Sequence, residues 1–131
     1  MRSDQTARDN LIKTMLFLHS RGWCDGTGGN FSVCLQHDPL QLLMAPSGVD
    51  KGSVQAEELI VVDANGAVIE GNGRASAETE LHQCIMSSVG AGAVLHTHSV
   101  AATVLSRVHG CDGFVQLEGL SLIHISEPTR P

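Results

Sequence analysis

"AVLHTHSVAATVLSR", residues 93–107, decides how this chain is read. Ala93, Val94 and Leu95 form an apolar run that ends in two histidines, His96 and His98. From Ser99 onward the pattern changes. Val100, Val104 and Val108 recur at helical spacing with Ala101 and Leu105 alongside, and Ser99 stands where a cap belongs. A buried strand handing over to a helix is the building unit of a layered α/β domain. Residues i and i+2 of a strand share a face, so His96 and His98 can turn two imidazole nitrogens toward one point. A catalytic zinc takes three protein ligands and keeps a fourth position open. Two would be here, and the third could come from His19, His37, His82, His109 or Glu78. An isolated H-x-H is more often two ordinary strand-end histidines, so the surroundings have to decide.

Upstream of this stretch, Ala7, Leu11, Met15 and Leu18 fall at helical spacing and predict an amphipathic helix over residues 4–21, stopped by Gly22. "FSVCL" (31–35) and "LQLLMA" (40–45) read as strands joined through "QHDP". "ELIVVD" (58–63) and "AVIEG" (67–71) flank "ANG", a hairpin signal. Ser76 can cap a helix over 77–89 with Leu81, Ile85 and Val89 as its core face. "FVQLE" (114–118) reads as a last strand. Helices and strands alternate with hairpins between them, which predicts an α/β layered domain on a mixed, partly antiparallel sheet.

At 131 residues the chain is long enough for one domain. A net charge of −6 with no Lys/Arg block argues against nucleic acid and anionic membrane as partners. Backbone N–H groups can still hold a phosphorylated small molecule. Cys24, Cys34, Cys84 and Cys111 form no C-x-x-C pair, which removes zinc-ribbon and thioredoxin-like readings and leaves small core or loop residues. The first ten residues hold no apolar signal region and no run approaches membrane-spanning length, so a cytoplasmic protein with reduced thiols is expected.

Three small-residue loops sit between strands and helices: Gly26-Thr27-Gly28-Gly29-Asn30, Pro46-Ser47-Gly48, and Ala75-Ser76-Ala77-Glu78-Thr79. None fits a standard nucleotide motif, and each alone is no more than a turn. Together they carry a family resemblance. "GTGGNFS", "APSGVDKG", "EGNGRASAETELH" and "GAVLHTHSVAATVLSR" follow the order and spacing of the class II aldolase/adducin-like family, and are most similar to its methylthioribulose-1-phosphate dehydratase branch. The likeness covers residues 4–120. Gly28 departs from the usual Ser or Ala, and Ala75 from the common Pro.

The resemblance implies a three-layer domain with a central mixed, largely antiparallel sheet, truncated here. It implies Zn2+ held by His96 and His98, with a third histidine that in the family lies well beyond Glu118. It implies a phosphate site from Gly29, Asn30, Ser47, Gly48 and Ser76, and Glu78 near metal and substrate. Glu118 would be the general acid/base of a dehydration that takes a proton from C3 of a 2-ketose 1-phosphate and expels the C4 hydroxyl. A homotetramer is implied as well. Read from the residues alone, Glu78 could merely favour a helix dipole, and Glu118 could be a solvated strand end. His82, four residues after Glu78, would make a surface contact, and His37 and His109 would be exposed. A zinc-dependent sugar-phosphate aldolase would use the same metal pair and lean on Glu78. A related epimerase would need residues from the absent half. A non-catalytic, adducin-head-like interaction module would have no use for His96 and His98.

"SLIHISEPTRP" (121–131) does not share the chain's pattern. It resembles translated sequencing-adapter read-through. Residues 1–120 are therefore expected to be the N-terminal part of the domain, and 121–131 a non-native tail that leaves the polypeptide an inactive fragment.

Overall fold

The computed structural model describes residues 4–114, and the chain divides into two compact units, one up to Ser99 and one from Val100 on. The first unit holds helix α1 (Asp4–Ser20), strands β1 (Asn30–His37) and β2 (Leu40–Met44), a single 3-10 turn (Ala56–Glu58), β3 (Ile60–Asp63), β4 (Val68–Glu70), helix α2 (Thr79–Val89) and β5 (Ala93–His96). The five strands form one sheet in the order β4-β3-β2-β1-β5, and all four described pairings are antiparallel. Of the predicted strand 114–118 only Phe114 is described, exposed and in no strand; residues 115–118 and the tail lie outside the described residues.

Alternation along the strands sorts the core into two faces. Phe31, Leu43 and Val61 pack under Ala7, Leu11, Met15 and Leu18 of α1. On the opposite face Leu40 and Leu42 pack with Met86 of α2, and Met44, Ile60 and Val62 continue the apolar surface. This is helix, sheet, helix: the expected three layers. Arg8 ties α1 to the far edge of the sheet. It is buried, pairs with Asp4 at 3.1 Å and Glu70 at 2.5 Å, and donates to the Ala56 carbonyl at 3.2 Å.

Three expectations are corrected. The core face of α2 is Thr79, His82 and Met86, while Leu81 and Val89 are exposed. Leu81, Ile85 and Val89 lie at the same helical spacing as His82 and Met86, so spacing alone could not choose between the two stripes. β5 is not a buried strand: among the described residues it lies at the edge of the sheet next to β1, and Leu95 is 48% exposed. α3 (Val100–Val108), in the second unit, has no buried residue, and its predicted core stripe, Val100, Val104 and Val108, is exposed among the described residues. A helix of nine residues cannot enclose an apolar face by itself.

β5 follows β4 and α2 in sequence yet pairs with β1, on the opposite side of the sheet from β4. That crossover sets His96, the last residue of β5, directly opposite Asn30, the first residue of β1. The site is built where those two strand ends meet.

Candidate functional site

Asn30 and His96 are paired across the sheet and share the face that α2 covers. The turn before α2, from Ser76 to Glu78, comes down on the same spot. Its local form is set by Ser76, whose hydroxyl accepts from the Glu78 N–H at 3.2 Å and whose carbonyl accepts from the Thr79 hydroxyl at 2.7 Å. The helix begins at Thr79, two residues later than a simple Ser76 cap predicts. The Glu78 carboxylate accepts from Asn30 Nδ2 at 2.5 Å and from His96 Nδ1 at 2.8 Å. These two hydrogen bonds, Asn30 first, hold its carboxyl below the usual carboxylate range.

Because Glu78 is ionised, only the N–H side of the Asn30 amide can face it. Asn30 Oδ1 then points to His96 Nδ1 at 2.9 Å and to His82 Nε2 at 3.0 Å, so both rings donate to it. His82 Nδ1 must in turn accept from the Ser32 hydroxyl, 2.6 Å away. His82 is fully buried and burial lowers its pKa, in keeping with a neutral ring. The expected surface contact of His82 with Glu78 is thus corrected: the ring lies under α2, two hydrogen bonds from His96.

His98 reaches the site by another route than strand alternation. β5 ends at His96, and the His98 N–H donates to the Trp23 carbonyl at 2.6 Å. Its ring stands edge-on to His96, with centroids 4.8 Å apart. The glycine loop makes room for this. A Cβ on Gly28 would lie 3.1 Å from His98 Nδ1, and one on Gly29, at φ +77°, would lie 2.9 Å from both the His96 carbonyl and the Phe31 ring.

A cleft of about 330 Å3 opens beside the pair, lined by Thr27, Gly28, Gly29, Asn30, Ala45, Pro46, Ser47, Gly48, Lys51, Ser76, Ala77, Glu78 and His98. The three small-residue loops of the sequence therefore meet in one wall. The residues expected to bind phosphate, Gly29, Asn30, Ser47, Gly48 and Ser76, all lie on it, with Glu78 and His98. Glu118 lies outside the described residues. Lys51, within "PSGVDKG", lies on the same cleft, and no spacing rule singles it out. It is buried, donates to the carbonyls of Thr27 at 3.1 Å and Val49 at 3.0 Å, and joins the first loop to the second. Burial pushes its ammonium below the usual lysine range. The other proposed third ligands are elsewhere. His19 stands against Asp50 at 3.6 Å, His37 ends β1 exposed, and His109 pairs with Asp112 at 2.9 Å in the second unit.

Among the described residues no three His, Cys, Asp or Glu side chains form a group that could hold a metal ion. Two donors of the kind such a group needs do stand together. His96 carries its proton on Nδ1, tied to a carboxylate, which leaves the Nε2 lone pair for coordination, and His98 is its neighbour. The arrangement supplies two imidazole donors, an ionised carboxylate behind one of them, and a wall of backbone and hydroxyl donors suited to an anion. No helix among the described residues is long and apolar enough to cross a membrane.

The model of the class II aldolase and adducin N-terminal domain matches residues 9–125. The chain is 40% identical over 118 residues to a methylthioribulose-1-phosphate dehydratase of Marinobacter nauticus, covering 89% of this chain and 56% of that protein. It is 46% identical over 99 residues to the enzyme of that name from Pectobacterium atrosepticum, covering 75% and 47%. It spans about half the length of these relatives. Its fold is similar to the crystal structure of YgbL from Klebsiella pneumoniae, with TM-score 0.71, 34% identity, and 81% of this chain on 50% of that one. An L-fuculose 1-phosphate aldolase is similar at TM-score 0.68 and 32% identity, with 83% on 51%.

Proposed function

Since this chain belongs to the family of class II aldolase and adducin N-terminal domains, we propose that it is part of a zinc-dependent lyase that dehydrates 5-methylthioribulose 1-phosphate to 5-methylthio-2,3-dioxopentyl phosphate in methionine salvage. The observation that carries this reading is the meeting of the His96–His98 pair with the Asn30–Glu78 bond at the mouth of one cleft walled by three small-residue loops.

The loops receive the phosphate. Backbone N–H groups around Gly29 and Gly48, with the Ser47 and Ser76 hydroxyls and the Asn30 amide nearby, suit its oxygens, and Lys51 supplies charge behind them. That fixes the sugar so that its reacting carbons lie toward His96 and His98. A bound zinc would polarise the C2 carbonyl and so acidify the C3 proton. Glu118 takes that proton and returns one to the departing C4 hydroxyl, the role that the family resemblance implies for it. Glu78 keeps the Nδ1 proton of His96 in place and lends the pair negative charge.

A second reading has one observation in its favour. Glu78 touches His96 at the cleft wall, where a sugar-phosphate aldolase would use a carboxylate as base. An interaction module leaves the histidine pair and its carboxylate without a purpose. In this proposal residues 1–120 belong to the family domain, residues 121–131 are foreign to it, and the enzyme is a cytoplasmic homotetramer. The test is product analysis. The enzyme carrying these residues at full family length, given 5-methylthioribulose 1-phosphate, should release water and a diketone phosphate. Dihydroxyacetone phosphate and an aldehyde among the products would replace dehydration with aldol cleavage.

A further inference from the structure

We propose that His82 is a positioning residue: its Nε2–H holds the Asn30 amide in the one orientation that turns its N–H side to Glu78 and its oxygen to His96, so that the Glu78 carboxylate stays placed to hold the Nδ1 proton of His96 and leaves His96 Nε2 open to a metal. Three observations carry this. His82 is 0% exposed, yet both ring nitrogens are bonded, Nδ1 to Ser32 at 2.6 Å and Nε2 to Asn30 Oδ1 at 3.0 Å. Asn30 Oδ1 is shared by two imidazole N–H groups, since His96 Nδ1 approaches it at 2.9 Å. The opposite end of the same amide is held by Ser76 Oγ at 3.3 Å and by Glu78 at 2.5 Å. All four hydrogen-bonding positions of the amide are thus filled, and turning it over would set a carbonyl oxygen against a carboxylate and an N–H against two N–H groups.

Without His82, Asn30 loses one of the donors that define its oxygen side, and a half-buried acceptor is left partly unmet. The amide can then tilt or turn, which sets its oxygen against the Glu78 carboxylate and displaces the acceptor of the His96 Nδ1 proton, so that His96 can exchange Nδ1–H for Nε2–H. The second tautomer has no lone pair on Nε2 and cannot ligate from it. His82 contacts neither cleft nor metal, and acts only through Asn30. Outer partners of metal-binding histidines are worth about 10–100-fold in metal affinity. The metal half of the inference rests on the proposed zinc site, while the tautomer half does not.

The test is nitrogen NMR of the imidazoles in the 131-residue chain, followed by zinc titration. In the parent, His82 should be neutral with its proton on Nε2, and His96 should carry its proton on Nδ1. Finding the opposite tautomer at either ring overturns the proposal without any variant. His82→Leu, judged folded from its amide spectrum, should give mixed His96 tautomers and bind zinc about tenfold more weakly. His82→Gln, which keeps an N–H in reach of Asn30, should restore both. An unchanged His96 in His82→Leu, or a His82→Gln protein as impaired as His82→Leu, would show that His82 serves packing alone. A parent with the expected tautomers and no zinc binding would remove the metal half of the inference and leave the positioning role standing.

Discussion

Gly29 shows how little freedom the site leaves to a single residue. Its φ of +77° already disfavours any side chain, and a Cβ would also stand 2.9 Å from the His96 carbonyl and the Phe31 ring. Gly48 shares the positive φ, +81°, but faces open space. Gly29→Ala should therefore cost about 2–4 kcal/mol and Gly48→Ala about 1–2 kcal/mol in urea denaturation, since only the first adds a collision to the backbone penalty. His82 brings a pH dependence. Burial lowers its folded pKa from the ordinary 6.5, so the unfolded chain binds its proton more readily. Stability should then fall as pH drops below about 6.5, by up to about 1.4 kcal/mol per unit, and level off below the folded pKa. His82→Gln should lack this limb when urea midpoints are compared from about pH 7 to about pH 5. Glu78 acts lower. Its depressed pKa gives a contribution that is complete above the ordinary 4.5 and is lost as pH falls through the folded value. His96, Asn30 and Glu78 could be picked out from the sequence because their motifs are local. The burial of His82 could not, since a histidine four residues from a glutamate looks the same on either side of a helix.

At the scale of the element, α2 is the instructive case. Its existence and approximate limits follow from the sequence, but its inward face does not. Thr79, His82 and Met86 make one stripe, and Leu81, Ile85 and Val89 another. The sheet selects the first because Ser32 and Asn30 offer partners to His82, while Leu40 and Leu42 receive Met86. Met86→Ala should cost about 2–5 kcal/mol, as a buried truncation does. Leu81→Ala and Val89→Ala should each stay within about 0.5 kcal/mol in the same denaturation experiment. Equal losses would mean that both stripes are covered. β5 carries the same lesson: "AVLH" is as apolar as a central strand, and only its place at the edge leaves Leu95 half exposed.

The whole molecule is organised by the step that takes the chain from β4 across α2 to β5 beside β1. Without it Asn30 and His96 would not be neighbours. If residues 121–131 are foreign to the domain, a chain ending at Leu120 should keep its urea midpoint to within about 0.5 kcal/mol. A loss several times larger would make the tail part of the fold. Zinc should bind the 131-residue chain weakly and leave to a chelator, because the two histidines that meet among the described residues fall short of the three protein ligands of a catalytic site. By itself, the sequence determined the helices, the hairpins and a layered α/β class, because periodicity and turn chemistry act over a few residues; the three-layer form and most of the cleft's lining came through the family resemblance that its motifs carry. Only the tertiary structure decided which face of α2 is buried, that β5 lies at an edge, that Lys51 links two loops, and that His82 stands behind Asn30. Each of those depends on which partner a side chain meets across the sheet, and such partners are tens of residues apart in the chain, as Asn30 and His82 are, 52 positions from one another.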